Sequence, residues 1–329
     1  MDPLWQRVVA HPDDEEARRV LADALLERGD PRGELIAVQC RLAAVPQDEW
    51  GPEEHRLAER EQALLDAHGA AWVQGWPFEL LPVFVRGFPE RQHAHASVFV
   101  RYAERALRIA PTLREVVFTD EDPRDWAGGW NAFCVSPHAA RVRRLTLPIT
   151  FQPGDLNALA TLAPSALTFK GGVLGDIEVL SRLPLEELSF EFDLGVRGLA
   201  SLSSLPLRSF VNIGNGVPVV PAWPELQRLT LDRVETRVDP RRWPKLQRLE
   251  LFDTRLGRRG VRELLEAGHP AVKRLGLRFE RIDAEHVDFL EQWPALEVLD
   301  VSGCTLDART RRALEESTVV RRLRRMLGA

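Results

Sequence analysis

The phrase Leu-x-x-Leu-x-Leu, or a close variant, recurs nine times between Leu113 and the C-terminus, usually with a proline one to three residues ahead of it. Its clearest copies begin at Leu226, Leu246, Val272 and Leu296. Such a phrase constrains the fold more than composition can, because one unit buries its apolar face only against the next and the chain must stack into a solenoid. Aligned on the first apolar position, the copies start at 113, 142, 164, 185, 207, 226, 246, 272 and 296, in steps of 19 to 29 residues. The third is the weakest, with Pro164 in the first position and Leu167 and Phe169 in the others.

Steps of this length with this phrase are the pattern of a leucine-rich repeat. The expected fold is therefore α/β: a solenoid of about nine repeats with a parallel concave sheet over residues 113–329, including a C-terminal cap, behind a small all-helical N-terminal domain. Longer units leave room for a helix on the convex side, and Arg258 to Ala267, Ala284 to Gln292 and Ala308 to Glu316 read as such helices. Units between 185 and 246 are expected to close with extended or short 3₁₀ turns. The longest step contains Asp120 to Trp130, read as a bulging loop, and the tail from Val320 to Met326 reads as a tenth, degenerate strand or a final helical turn.

Residues 1–75 read as helices, since Val9, Val20, Leu21, Leu25, Leu35, Ile36, Val38, Leu42, Leu57, Leu64 and Leu65 recur at three- and four-residue steps. Asp30-Pro31 has the form of an N-cap followed by proline at the first helical position, with Gly29 just past the preceding helix. Pro12-Asp13-Asp14-Glu15-Glu16 places carboxylates in a first turn, where the helix dipole favours them, and a further helix starts near Pro52. Residues 76–112 read as a loop feeding one extended strand and then a helix over 97–109, sealing the apolar end of the solenoid.

Residues 22 to 39, with Glu27-Arg-Gly-Asp-Pro-Arg-Gly-Glu34 at their centre, resemble the short repeat-companion domain that precedes leucine-rich repeats in many myxobacterial and planctomycete proteins. Val85-Arg-Gly-Phe88 followed by a helix is similar to the junction in those proteins. Ala24 stands where the family more often has tryptophan. The resemblance implies the fold and a bacterial cytoplasmic setting, and no established activity.

A charge of -5, from 44 basic and 49 acidic residues, gives no global field for nucleic acid or an anionic membrane. The start lacks the basic-then-apolar run of a signal peptide and no stretch is apolar enough to span a membrane, so the chain is expected to be cytoplasmic. Cys40, Cys134 and Cys304 are too scattered for a disulfide framework or a metal site. No phosphate loop, nucleophile elbow or His-Glu-x-x-His is present, so neither an enzyme nor a cofactor is expected.

If positions 1, 4 and 6 of the phrase point inward, positions 3, 5 and 7 line the concave face. Position 3 then carries Arg228, Arg248 and Arg274 on successive strands, and position 7 adds Phe252 and Arg278. Asp232 and Glu250 can neutralise this ladder, which leaves two readings: a solvated, salt-bridged face, or a surface for an acidic or phosphorylated protein partner. Phe252 beside the arginines, with Val211 and Ile213 on the neighbouring unit, has the composition of a binding hot spot.

Other candidates have plainer explanations. His93 and His95 have alternate spacing without further ligands. Cys304, Thr254, Asp193 and Asn215 share the ninth position, where a buried packing role is expected. The Gly29 to Glu34 corner is either a docking element exposing Arg32 and Glu34 or a helix-to-helix corner set by proline and glycine. Trp223, Trp243 and Trp293 each open a Trp-Pro-x-Leu phrase and are expected to pack between units. The expected function is a non-enzymatic scaffold binding a macromolecular partner on its concave face; the alternative is a regulatory or substrate-recruiting subunit of a kinase-type or toxin-type assembly, docking through the N-terminal domain.

Overall fold

The computed structural model describes residues 2–77, 79–171, 177–191, 198–214, 219–233, 238–323 and 325–327. The chain divides into two compact units, Met1–Arg144 and Leu145–Ala329.

The first unit opens with α1 (Pro3–Ala10), α2 (Glu15–Glu27), α3 (Pro31–Ala43) and α4 (Pro52–Trp72). Their starts follow from local chemistry. The Asp14 carboxylate accepts from the Ala17 amide and Asp30 from the Arg32 amide, and proline stands in the first turn of α1, α3 and α4. Val8, Ala17, Leu21, Ala22, Leu25, Ile36 and Phe88 form a shared core.

Beyond α4 the single strand expected from the sequence is a hairpin, β1 (Leu81–Val85) antiparallel to β2 (Phe88–Ala94). Arg86 and Gly87 turn it with φ of 49° and 84°, the two-residue left-handed turn that matches strand twist. A side chain at Gly87 would meet Ile36 at 2.1 Å. The Gly87 amide donates to Gln39 Oε1 at 2.6 Å, and its carbonyl accepts from Arg32 Nε at 3.1 Å. Helix α3 thus grips the turn, which ties the specific sequence around Arg32 to a packing task.

Next come α5 (Ala96–Ile109), β3 (Glu115–Phe118), parallel to β2, and α6 (Pro123–Cys134). Helix α6 replaces the loop expected at 120–130. Asp122 caps it and Pro123 occupies its first position. Trp126 and Trp130 stack one turn apart at 5.4 Å and bury against Phe118. The aromatic pair spaced for one helix face explains why this insertion folds back onto the core.

The unit boundary falls at the start of β4 (Arg144–Leu147), which is followed by α7 (Leu156–Leu159), β5 (Ala166–Phe169), β6 (Glu187–Phe190), β7 (Ser209–Ile213), β8 (Arg228–Asp232) and β9 (Arg248–Phe252). Then follow α8 (Gly257–Ala267), β10 (Arg274–Arg278), α9 (Ala284–Val287), β11 (Val298–Asp300), α10 (Ala308–Glu316), α11 (Thr318–Arg322) and β12 (Arg325–Leu327). From β5 to β12 each strand pairs in parallel with the next in chain order. The chain is an α/β leucine-rich-repeat solenoid with a helical N-terminal region. The tail supplies the tenth strand, β12, beside β11.

Unit length decides the connections as expected. The longer units carry α8, α9 with a 3₁₀ turn over Asp288–Gln292, and α10, while shorter ones close through 3₁₀ turns at Leu199–Ser204 and Pro240–Arg242. Leucines at phrase positions 1, 4 and 6 are buried, among them Leu226, Leu229, Leu231, Leu246, Leu249 and Leu251. Each full burial of this kind stabilises by roughly 1.5–3 kcal/mol before conformational entropy is counted.

The tryptophans pack between units and also link them. The buried indole N–H groups of Trp223, Trp243 and Trp293 donate to the carbonyls of Leu202 at 2.7 Å, Pro221 at 2.8 Å and Leu265 at 3.1 Å. One position departs from this rule: His269-Pro-Ala-Val272 is the same phrase with histidine in the tryptophan place. His269 Nε2 reaches the Trp243 carbonyl at 3.1 Å and Nδ1 accepts from the Ala271 amide at 3.2 Å. Burial pushes this imidazole below its ordinary pKa.

Ninth positions are packing sites where described. Thr254 Oγ1 donates to Glu280 at 2.7 Å, and the Cys304 thiol donates to the Leu277 carbonyl. Burial pushes that thiol up to about 11, which suits an inert role. Asp193 and Asn215 lie outside the described residues.

Candidate functional site

Parallel register fixes which side chains share a row on the solvent-facing side of the second unit's sheet. Arg228, Arg248 and Arg274 are direct neighbours on β8, β9 and β10. Ile213, Asp232, Phe252 and Arg278 form a second row, one residue from each of four consecutive strands. Val211 lies beside Thr230 in the row between them. All seven residues singled out in the sequence therefore lie on this face, in three adjacent rows.

The arginine ladder is largely neutralised from within. Glu250 Oε1 accepts from Arg248 Nε at 2.7 Å and from Arg274 Nε at 2.6 Å. Asp300 Oδ2 accepts from Arg278 Nε at 2.6 Å and lies 4.0 Å from Arg274 Nη2. Arg274 is only 5% exposed, held between the buried carboxylates of Glu250 and Asp300. Arg248 and Arg278 are half-buried. Arg228 is exposed and makes no ion pair with a described residue. The Arg278 guanidinium lies 4.8 Å over the Phe252 ring, which fixes both side chains.

Where the second row ends, the face sinks into a concavity of about 520 Å³ lined by Ile213, Asp232, Phe252 and Arg278 of that row and by Arg233, Asp253 and Phe279 just beyond it. Arg233, Asp253 and Phe279 follow their strands directly and share left-handed backbone, with φ of 51°, 46° and 61°. Their amides donate to the carbonyls of Phe252 at 2.9 Å, Arg278 at 3.0 Å and Ser302 at 3.2 Å. Asparagine, aspartate and glycine tolerate this conformation, whereas for arginine and phenylalanine it costs about 1–2 kcal/mol. Phe279 is nevertheless 65% exposed. Its ring lies on Gly303, where an added side chain would meet it at 2.4 Å.

Arg233, Asp253 and Phe279 escaped the sequence reading because they fall one position past the strand phrase. The available signal was Gly303 at the same position of the next unit, which marks a left-handed turn common to them all.

The remaining candidates separate. His93 sits within β2, whereas His95 is the residue preceding α5, with Nδ1 3.3 Å from Thr119 Oγ1; they form no ligand pair. Arg32 is buried among Trp5, Trp72, Phe84 and Phe88, so the exposed docking role considered for it does not hold. Desolvation lowers its pKa to about 10. Glu34 is bound to Arg60 at 2.6 Å. Among the described residues the grouping with metal-ligand spacing is Asp283, Glu285 and His286, but Arg258 reaches both carboxylates and Arg281 is 3.7 Å from Asp283, leaving little net negative charge for a cation. No helix among the described residues is long and apolar enough to cross a membrane.

No protein-family model and no curated protein matches the chain. Among solved structures, an internalin from Listeria monocytogenes is similar at 14% identity with a TM-score of 0.38, over 68% of this chain and 69% of the internalin. A Bacteroides fragilis protein is similar at 11% identity with a TM-score of 0.37, over 70% of this chain and 80% of that one. The fold itself is given by the strand register, parallel from β5 to β12 in chain order.

Proposed function

We propose that the chain is a non-enzymatic scaffold that receives a segment of a protein partner on the concave face of its solenoid, with the anchor side chain in the concavity between Ile213, Phe252, Arg278 and Phe279. The observation that carries this reading is Phe279, a large apolar side chain kept exposed on strained backbone at the rim. Strain of this kind persists where the surroundings over-determine it, and it gathers at ligand clamps. Arg278 stacked on Phe252 supplies a rigid aromatic and guanidinium anchor, the composition in which binding energy concentrates. Val211, two residues before Ile213 on the same strand, adds an apolar side chain next to the concavity.

Arg228 and Arg248 flank the anchor on the same strands, four residues or about 13 Å away. Arg228, the exposed one, is the side chain that meets an acidic or phosphorylated group of the partner, while Arg248 and Arg274 are held by Glu250. Capture from a lysate of the native host with the full chain and with Phe252→Ser/Phe279→Asp tests the reading. Loss of a captured protein at unchanged melting temperature supports it. Equal capture moves binding away from this face.

A further inference from the structure

We propose that Arg86 and Arg114, in the first unit, form a binding site for a phosphate-type dianion that the chain's own Asp13 now closes. This site is independent of the concave-face reading.

The argument starts from one buried carboxylate. Glu90 on β2 is 3% exposed and holds three guanidinium groups. Its Oε1 takes Arg18 of α2, and its Oε2 takes Arg86 Nη2 at 3.5 Å and Arg114 Nη2 at 3.2 Å. Three positive charges on one negative charge leave a surplus of two. Among the described residues that surplus is met from the solvent side. Asp13 Oδ2 lies 2.8 Å from Arg114 Nη1, Asp13 Oδ1 lies 3.9 Å from Arg86 Nη2, and Glu15 Oε1 lies 4.0 Å from Arg86 Nη1.

The two sides of this arrangement differ in how firmly they are held. Arg86 and Arg114 side chains are 15% and 16% exposed and anchored on Glu90, while Asp13 is 84% exposed. Arg18 is wholly buried and also donates to the Pro12 and Arg86 carbonyls, so the cationic side is built into the fold. The exposed carboxylates are attached by ion pairs that water and salt screen. The hydrogen bond from Arg114, backed by the charges of Arg114, Arg86 and Arg18, holds the Asp13 carboxyl below its ordinary range against the opposing pull of desolvation. The position is therefore one of positive potential.

Two singly charged, replaceable acids opposite two fixed guanidinium forks are the intramolecular equivalent of one dianion. Guanidinium forks match phosphate oxygens bidentately, and a phosphate monoester carries close to two charges at neutral pH. One phosphate dianion in the place of Asp13 and Glu15 together satisfies the surplus of two, with Glu15, 4.0 Å from Arg86, free to turn to water.

The test is titration of inorganic phosphate into the full chain at constant ionic strength, followed by calorimetry and by the melting temperature. Asp13→Asn is expected to bind phosphate at a single site about tenfold more tightly than the native chain. Arg86→Gln added to Asp13→Asn is expected to abolish that binding; where this variant melts early, Arg86→Lys, which keeps charge without the fork, is expected to weaken it. Phosphoserine in a short peptide is the second probe: tighter binding than inorganic phosphate assigns the site to a modified protein, and the reverse to a free ion. Absence of saturable binding in Asp13→Asn, or binding unaffected by Arg86→Gln, overturns the proposal and leaves the cluster a staple between α2 and β2.

Discussion

Glu90 in the first unit and Glu250 in the second each gather arginines around a buried carboxylate, yet the two clusters are completed differently. Around Glu250 the second anion, Asp300, is also buried. Burial pushes the Asp300 carboxyl up, but hydrogen bonds from Ser302 and Arg278 outweigh this and hold it below its ordinary value. Both signs of charge are thus internal, and the cluster is a floor. Around Glu90 the completing anions, Asp13 and Glu15, stand in solvent. The same residue types make a closed support in one place and an exchangeable surface in the other, according to which sign is buried.

Removing each central carboxylate gives the sharpest separation. Glu90→Gln leaves Arg18, fully buried, without a counter-charge and is expected to destabilise by about 3–5 kcal/mol in denaturant unfolding. Glu250→Gln is expected to cost less, about 2–3 kcal/mol, because Arg248 can turn to water and Asp300 remains near Arg274. Equal losses would show that burial of the second anion does not distinguish the clusters.

Acid reaches a different part of the molecule. Burial lowers the pKa of His269 and of His286 below 6.5, so the unfolded chain binds protons that the folded chain refuses. Their stabilising contribution is complete above about pH 6.5 and is lost as pH falls below it. Asp13 and Asp300, with lowered pKa values, stay charged through that window. The unfolding midpoint is expected to fall from pH 7 to pH 5 in the native chain and less steeply in His269→Gln; identical slopes would show that His269 does not contribute and leave His286 as the group that titrates.

The smallest effect on stability is expected at the concavity. Phe279→Gly relieves left-handed strain while removing an exposed ring, so unfolding free energy is expected within about 1 kcal/mol of native while partner capture is lost. A large destabilisation would mean that the ring serves packing on Gly303 rather than binding.

The strand positions were legible because the leucine phrase has one period and one burial logic. Unit length likewise decided where helices α8 to α10 could fit. The arginine ladder was legible as a row, but its buried member was not: Arg274 lies between Glu250 and Asp300, carboxylates from the strands on either side of its own, a relation that only strand register creates. The hairpin at Arg86-Gly87 and helix α6 after Asp122-Pro123 carried turn and cap signals that a reading centred on the repeat passed over. Arg233 and Phe279 carried no signal of their own, since neither residue type advertises left-handed backbone.

His269 has a consequence for cooperativity. A stacked chain melts as a row of blocks whose boundaries fall at the weakest coupling between neighbours. At the joints led by Trp223, Trp243 and Trp293 an indole both fills space and holds the preceding turn. The joint led by His269 keeps the tether to its neighbour's carbonyl but substitutes a smaller ring. That joint therefore carries less apolar filling than its neighbours, while β9 and β10 on either side of it stay paired over five residues, Arg248 to Phe252 beside Arg274 to Arg278. A smaller ring on the same carbonyl tether moves the coupling of that joint from space-filling toward its hydrogen bond and the strand ladder beside it.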